Sequence, residues 1–354
     1  MSALTDLSSF STYPIIQAPM AGGASNPQLA SAVGAAGGLG FLAAGYKTPE
    51  ALYEEIRQVR HLSSHPFGVN LFVPQAPTAD PSAVAVYAEQ LAGEAAWYGT
   101  PLGDPEAGTD DAWDAKISLL LEDPVPMVSF TFGCPDRAVV EAFAKAGTYT
   151  VVTVTSPSEA LAAQWAGADA VCVQGVEAGG HQGTHRDDPQ LDCAGIGLLA
   201  LIPQVRETVT LPVIAAGGLM RGGQIAAVLA AGADAAQLGT AFLVCPESGA
   251  SPLHKRAVTD PVYARTELTR AFSGRPARGL LNRFVREHGP YAPPGYPQIH
   301  HLTSALRKAA AAAGDPQGMA LWAGQGHRLA RDVSAGRLVE LLVEEIEAAR
   351  EVLA

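Results

Sequence analysis

The chain has 354 residues, of which 48% are hydrophobic and 16% charged, and its formal net charge is −12. This composition predicts a large buried core and argues against a disordered chain. The negative charge and the lack of any basic run argue against binding to nucleic acid through phosphate contacts.

The N-terminal part shows no sign of a targeting segment. No Lys, Arg or His precedes Lys47, whereas a secretory signal needs a cationic start and a transit peptide needs arginines. The apolar stretches, such as AVGAAGGLGFLAAG, are too short and too rich in glycine for a membrane span. We therefore expect a cytoplasmic protein with no membrane partner.

A helical segment that ends in a small residue and a glycine, followed by an apolar run, occurs four times along the chain. The pentapeptide AGADA is repeated at 166–170 and 231–235. Glycine after a helix favours a left-handed cap, and a strand that starts just beyond it is typical of a parallel sheet. Eight strands are predicted, at 14–20, 38–45, 67–73, 126–132, 148–154, 170–175, 212–218 and 235–242.

Helical patterns separate most of these strands, at 26–36, 48–61, 135–146, 157–166, 196–207 and 222–231. Most strands are apolar throughout, as expected where helices cover one face and a barrel interior the other. Eight such units predict a (β/α)8 TIM barrel, with a doubly wound sheet as the alternative.

Two segments exceed a minimal barrel. We expect the barrel to occupy residues 1–244, with a mainly helical, acidic insertion at 75–124 that forms a surface or subunit contact. A lid or substrate domain is predicted at 245–330, and an amphipathic helix at 331–354 closes the barrel. The sequence leaves open whether the protein is a monomer or a homodimer.

Four cysteines lie in or beside apolar segments and show no CxxC spacing. We interpret them as buried free thiols; they are Cys134, Cys172, Cys193 and Cys245. The i, i+4 pair His181 and His185 spans a glycine in a loop, so a metal site there is not expected.

The predicted strand ends carry glycine, amide and hydroxyl groups rather than charge. Gly217 and Gly218 after the seventh strand, with Gly239 and Thr240 after the eighth, occupy the places where barrels bind phosphate. The amides of Asn70 and Gln174 offer donors and acceptors to a heteroaromatic ring. Flavin mononucleotide (FMN) satisfies both demands.

Several motifs of the chain, in order, resemble those of the class I nitronate monooxygenases. They are PIIQAPMAGG, FGVNLFVP, VQGVEAGGHQG, VIAAGGL, AAQLGTAF and LWAGQG, between Pro14 and about Gly326. The resemblance implies an FMN-binding TIM barrel with a helical lid after the eighth strand. It also implies oxidation of alkyl nitronates or nitroalkanes, such as propionate 3-nitronate, by dioxygen through a flavin semiquinone. The products are a carbonyl compound and nitrite or nitrate, and no nicotinamide is needed.

Carried over to this chain, the family's pattern makes His181 the catalytic residue. We expect His181, titrating near neutrality, to accept the α-proton of a nitroalkane or, as imidazolium, to pair with a bound nitronate. Tyr291 and Tyr296 are candidate lid tyrosines, and His300 and His301 are predicted to be surface residues of the lid, with a substrate contact as the alternative. The implied FMN contacts are Met20, Asn70, Gln174, Gly179, Gly180, Gly217, Gly218, Gln237, Leu238, Gly239 and Thr240.

Three other functions fit the same barrel. An FMN-dependent enoyl-acyl-carrier-protein reductase shares the E-x-G-G-H loop, but it calls for a basic docking surface that a charge of −12 does not favour. An NAD(P)H:quinone reductase is a second alternative. A flavin-storage protein is the third, and it has no need for a titratable group such as His181.

Overall fold

The described part of the chain comprises residues 6–75, 79–108, 110–187 and 195–353 of a computed structural model, in which strands and helices alternate. The strands are β1 (Ile15–Gln17), β2 (Gly40–Ala43), β3 (Phe67–Phe72), β4 (Met127–Thr131), β5 (Tyr149–Val154), β6 (Ala170–Gln174), β7 (Gly180–His181), β8 (Val213–Ala216), β9 (Ala235–Leu238), β10 (Thr266–Thr269) and β11 (Ala277–Leu280). The first seven helices are α1 (Pro27–Ala35), α2 (Pro49–Leu62), α3 (Pro81–Gln90), α4 (Ala92–Tyr98), α5 (Trp113–Glu122), α6 (Arg137–Lys145) and α7 (Pro157–Ala166). The remaining helices are α8 (Leu198–Thr208), α9 (Gly222–Ala230), α10 (Thr240–Leu243), α11 (Pro252–Thr259), α12 (Arg283–His288), α13 (Gln298–Ala312) and α14 (Ala335–Leu353).

Eight parallel strands form one closed sheet, in the order β1-β9-β8-β6-β5-β4-β3-β2. The two ends of this order meet through a parallel bridge between Ile16 and Leu39. The N–H of Gln17 donates to the Leu39 carbonyl (2.9 Å), and the N–H of Leu39 donates to the Ile15 carbonyl (3.0 Å). The predicted (β/α)8 TIM barrel is therefore confirmed, and the doubly wound sheet was the wrong alternative.

Local sequence signals account for the barrel units. Helices α2 and α7 each start after a hydroxyl residue followed by proline, and the hydroxyls of Thr48 and Ser156 accept N–H bonds from the first turn. Helix α7 ends at Gly167, whose φ of 91° is the left-handed conformation that a glycine cap adopts.

Alternate residues of the barrel strands pack into two separate apolar layers. Ile15, Leu42 and Val213 pack outward under the helices, whereas their neighbours pack inside the barrel with Phe10. The ring of Phe10 lies 5.2 Å from that of Tyr149 at the N-terminal end of the barrel. The N-terminal segment therefore plugs the end opposite to the strand carboxyl ends.

The C-terminal helix completes the helical ring. Helix α14 packs against α9 and α1, which flank the seam of the sheet, and buries Leu338, Leu342 and Ile346. The chain thus leaves the barrel after α10, builds the lid, and returns at Ala335 to cover the last strand.

The insertion after β3 and the lid share a second apolar core. Val84, Tyr87 and Leu91 from α3 and its C-cap pack against residues of α12 and α13, including Phe284 and Leu302. These helices support the lid within the same chain, and the predicted role of the insertion as a surface or subunit contact stays a prediction. Asp80 and Glu89 of the insertion are exposed, whereas Glu94 is buried.

The lid also contains strands that the sequence did not predict. Strand β10 pairs with β11, and β11 pairs antiparallel with β7, so that Ala277 lies opposite His181. The strands are four residues long or shorter, and Arg278 and Gly279 interrupt any apolar pattern. Such a sheet becomes stable only through its partner in the barrel loop.

Among the described residues, no helix has the length and apolar character that a bilayer crossing requires. Cys172 and Cys245 are buried and Cys134 is partly buried, and all three are free thiols. The fourth predicted thiol, Cys193, lies outside the described residues.

Candidate active site

A cavity of about 1060 Å³ opens at the carboxyl ends of the barrel strands, beneath the lid. All of the predicted site residues line it; they are Met20, Asn70, Gln174, Gly179, Gly180, His181, Gly217, Gly218, Gln237, Leu238, Gly239 and Thr240. The structure thus brings together residues from five strand ends that lie up to 220 positions apart in the chain.

One side of the cavity offers unused backbone donors. Within the described residues, no hydrogen bond uses the N–H groups of Gly218, Gly239 or Thr240. Gly218 has a φ of 68°, which turns its N–H away from the strand ladder. The Thr240 hydroxyl accepts the N–H of Gly324 (3.0 Å) and keeps its own proton to donate. This is the donor set of a phosphate site.

The loop Trp322–Gly326 of the lid presses on this glycine-rich side. The position of a Cβ on Gly179 would lie 2.4 Å from the Gly324 nitrogen, so the two backbones meet where only glycine fits. The N–H of Gln325 also donates to the Glu177 carbonyl (2.9 Å). The LWAGQG motif therefore belongs to the cavity wall.

The amide side chains at the strand ends have definite partners. Asn70 donates to Ser129 and Thr131, which leaves its carbonyl oxygen as the free acceptor. Gln174 accepts the Gly183 N–H (2.7 Å) and donates to the His181 carbonyl (3.2 Å). In this structure Gln174 fixes the loop that carries His181, whereas the sequence suggested only a ring contact.

His181 lies where the barrel loop meets the lid. Its Nε2 is 2.9 Å from the hydroxyl of Ser273, and its ring is surrounded by the rings of Phe132, Tyr296 and Trp322 at 5.5–5.6 Å. Glu177, in the same loop, accepts the N–H of Leu198 with both carboxylate oxygens (3.0 and 3.1 Å). This contact orders the loop, in which His181 is the residue that reaches the lid.

The expectation that His181 titrates near neutrality is wrong for this structure. Burial, together with the positive charges of Arg275 and Arg307, lowers the pKa of His181 to about 3. The aromatic rings around the imidazole remove the water that would stabilise its charged form. His181 is therefore a neutral imidazole at pH 7 in the absence of a bound anion.

The lid side of the cavity is aromatic. The ring of Tyr46, which follows β2, stacks on His300 at 4.2 Å, and the hydroxyl of Tyr296 donates to that of Tyr46 (3.1 Å). The structure corrects the prediction that His300 and His301 are surface residues, because both line the cavity. Of the two candidate tyrosines, Tyr296 lines the cavity, whereas Tyr291 is 65% exposed outside it.

A cation without a carboxylate partner also lines the cavity. The Nη2 of Arg307 donates to the His300 carbonyl (2.8 Å), but Nε is shielded from solvent and has no partner among the described residues. Burial lowers the pKa of Arg307, and the groups that act against this are Tyr46 and Tyr296 rather than an acid. Such a guanidinium favours an anionic ligand.

The sequence pattern did not reveal Phe132, Ser273, Arg307 or Trp322 as site residues. Phe132 follows β4 with a φ of 75°, a strained value for a bulky residue, and no residue pattern indicates it. The others lie in the lid, where side chains reach the site only through the hairpin and α13. Trp322 lies in the LWAGQG motif, which carries the family resemblance but does not by itself indicate a role for this side chain.

The family model for nitronate monooxygenase matches residues 2–345 of the chain. The nitronate monooxygenase of Pseudomonas aeruginosa is 43% identical over 342 residues, which cover 94% of this chain and 96% of that protein. The chain belongs to the nitronate monooxygenase family. This is a family of flavin-dependent oxidoreductases.

Solved structures of similar proteins agree with this assignment. A nitroalkane oxidase from Streptomyces ansochromogenes is 67% identical, with a TM-score of 0.96 over 98% of this chain and 99% of that one. FabK from Thermotoga maritima is 28% identical, with a TM-score of 0.74 over 97% and 95% of the two chains. The higher sequence identity to the nitroalkane oxidase therefore favours oxidation of nitro compounds over the activity of FabK.

Proposed function

We propose that this protein oxidises alkyl nitronates and nitroalkanes with dioxygen, using FMN, and that His181 is its catalytic residue. The observation that carries the proposal is the neutral His181, held by a hydrogen bond between the glycine-rich side of the cavity and an aromatic lid. A storage protein needs no such group. Bound FMN supplies the capacity to take electrons from the substrate and pass them to dioxygen.

The residues of the cavity fit FMN. The free N–H groups of Gly218, Gly239 and Thr240 supply donors for a phosphate dianion, and the N-terminus of the short helix α10 lies beside them. The carbonyl oxygen of Asn70 offers an acceptor to a ring N–H. A volume of about 1060 Å³ leaves room for a substrate beside the flavin.

A neutral imidazole is suited to proton abstraction. A nitroalkane is neutral, so its α-proton must leave before the anionic nitronate exists, and His181 can accept that proton because its pKa keeps it unprotonated. The charge that develops on the substrate then stabilises the imidazolium, since an adjacent anion raises the pKa of a histidine.

Arg307 supplies a permanent positive charge for the anion. It lines the same cavity as His181, and its planar guanidinium keeps Nε and Nη1 free of hydrogen bonds among the described residues. Tyr46, which follows β2, and Tyr296 of the lid act electrostatically on Arg307, whereas the glycine-rich side follows β9 and β8, which are two and three strands from β2 in the closed order. Arg307 therefore serves the substrate rather than the phosphate, and it favours nitronates that carry a carboxylate.

Oxygen uptake by the purified holoprotein tests the proposal. Propionate 3-nitronate and nitroethane are added separately, with no nicotinamide, and the released cofactor is identified by mass. We expect rapid uptake with both compounds and a mass of FMN. Absence of uptake, with flavin bleaching by NADH or NADPH instead, would overturn the proposal in favour of a nicotinamide-dependent reductase.

A further inference from the structure

The turn between β10 and β11 encloses a buried hydroxyl next to His181. Ser273 and Arg275 in this turn are each 1% exposed, although they lie in a connection between two short strands. The Ser273 Oγ lies 2.9 Å from Nε2 of His181, 3.2 Å from the Arg275 carbonyl oxygen and 3.4 Å from the Arg275 nitrogen. Three groups thus compete for one hydroxyl.

The single proton of this hydroxyl decides which nitrogen of His181 carries hydrogen. The Arg275 N–H is a donor, so Oγ accepts from it. The Arg275 carbonyl has no other donor among the described residues, and a buried carbonyl without a partner destabilises the fold. The Ser273 proton therefore goes to the carbonyl. The Nε2 of His181 must then donate to Oγ, which leaves Nδ1 unprotonated.

In this tautomer, Nδ1 is the available base. It has no hydrogen bond among the described residues, and His181 lines the cavity. In the opposite tautomer, Ser273 donates to Nε2 and Nδ1 carries the hydrogen. A protonated Nδ1 can donate to a ligand but cannot accept its proton.

The lid is fixed to the His181 loop on both sides of this contact. The Gln182 N–H donates to the Pro276 carbonyl (2.8 Å), and β7 pairs with β11. The guanidinium of Arg275 donates to the carbonyls of Gln182 and Thr184 and lies 4.3 Å from the centre of the Phe132 ring. The Ser273 hydroxyl is therefore held at a fixed place relative to the imidazole. Its proton is donated to the Arg275 carbonyl before the substrate binds.

We propose that Ser273 is a positioning residue that selects the His181 tautomer whose Nδ1 accepts the α-proton of the substrate. This inference rests on the proposed function. In the step, the α-carbon–hydrogen bond breaks, the proton moves to Nδ1, and the electron pair stays on the substrate as the nitronate. The resulting imidazolium donates from both nitrogens and keeps its bond to Ser273. The base exists only when the lid hairpin is docked.

The kinetic test compares a substrate that must lose a proton with one that has already lost it. The readout is the ratio of kcat/KM for nitroethane to that for preformed ethylnitronate. In Ser273→Ala we expect this ratio to fall about 10- to 100-fold, because the tautomer is no longer selected. Ser273→Thr keeps the hydroxyl and should restore most of the ratio. Ser31→Ala removes a buried hydroxyl from α1 and should not change it.

A spectroscopic test needs no turnover. In the holoprotein labelled with ¹⁵N-histidine, the His181 signals are identified by their loss in His181→Asn. We expect a pyridine-type Nδ1 and a pyrrole-type Nε2 in the wild type, and a mixture in Ser273→Ala. A pyridine-type Nε2 in the wild type would overturn the inference, as would an unchanged kinetic ratio in Ser273→Ala. If the wild type oxidises neither substrate, the proposed function fails, and the spectrum still decides the tautomer.

Discussion

The two walls of the cavity present different kinds of chemical group. The barrel wall offers backbone N–H groups at Gly218, Gly239 and Thr240, whereas the lid wall offers side chains, with Tyr296, His300 and Trp322 among them. Backbone donors held at the ends of a closed sheet cannot be altered by most substitutions. Such backbone donors suit a ligand whose structure stays the same, such as a cofactor.

The lid wall depends on contacts between distant parts of the chain. Glu94 of the insertion pairs with Arg283 across 189 positions, and the residues of β7 pair with those of β11 across 96 and 98 positions. Side chains on such an assembly can be exchanged without disturbing the barrel. Under the proposed function, this difference means that the two walls divide the work, with cofactor binding on the barrel and substrate choice on the lid. His181 is the point where they join.

The largest expected effect is at this junction. His181→Asn removes the imidazole that lies where the two walls join, so we expect kcat/KM for nitroethane to fall about 10²- to 10⁴-fold. Preformed ethylnitronate should lose less, since it needs no proton transfer. Oxygen uptake measures both, and His61→Asn, an exposed histidine on α2, is the control. Equal losses for the two substrates would remove proton abstraction from the role of His181.

Breaking the ion pair between the lid and the insertion should destabilise the packing of the lid. Both carboxylate oxygens of Glu94 bind Arg283, and the Glu94 side chain is 8% exposed. Glu94→Gln should lower the free energy of unfolding by about 2 kcal/mol, because the partly buried guanidinium of Arg283 loses its bidentate partner and keeps only the exposed Glu287. Glu287→Gln removes the other partner of Arg283, at 53% exposure, and should cost less than about 1 kcal/mol. Urea unfolding measures the free energy of unfolding of both variants. Equal losses of this free energy would mean that the Glu94–Arg283 ion pair does not anchor the lid.

The contact between Gly179 and Gly324 tests whether the walls act separately. A Cβ at residue 179 would lie 2.4 Å from the Gly324 nitrogen and 2.6 Å from the Ala323 carbonyl carbon, so Gly179→Ala must move backbone on one wall. We expect FMN affinity to fall about 10-fold or more, which is roughly 1.4 kcal/mol. Flavin fluorescence titration of the apoprotein measures it. Gly93→Ala, where a Cβ meets nothing within 4 Å, is the matched control. Unchanged affinity would separate this contact from the cofactor.

Arg307 should affect substrate choice but not cofactor binding. We expect Arg307→Gln to lower the ratio of kcat/KM for 3-nitropropionate to that for 1-nitropropane about 10-fold, since one charge-assisted contact to the carboxylate is lost. Arg286→Gln makes the same chemical change on an exposed lid residue and should keep the ratio. A ratio that stays constant in Arg307→Gln would place the carboxylate elsewhere.

The sequence predicted the barrel wall because its signals are local. A hydroxyl and proline before α7, Gly167 after it and an apolar run for β6 lie within 20 residues, so each unit specifies itself. Six predicted site residues follow from such strand-end patterns, whereas the other six, with His181 among them, came from the family resemblance; all twelve line the cavity. Ser273 and Phe132 could not be found in this way. Ser273 matters only because β11 pairs with a two-residue strand 96 to 98 positions earlier, and Phe132 matters through a backbone conformation that its residue type disfavours.

The smallest expected effect is on the pH dependence of stability, and it concerns a histidine that anchors the lid. Burial lowers the pKa of His254 to about 4, and its Nε2 lies 2.9 Å from the Trp322 carbonyl. Between pH 6.5 and 4 the unfolded chain binds a proton at this residue and the folded chain does not, so acid stabilises the unfolded state. His254 should therefore remove about 1 kcal/mol of stability for each pH unit below 6.5. Urea unfolding at pH 7, 6 and 5 gives the free energy of unfolding at each pH. This free energy should change less steeply with pH in His254→Gln than in the wild type, by the equivalent of about one proton taken up on unfolding. Equal slopes would mean that His254 is protonated in the folded protein, with its side chain turned out from the lid into water.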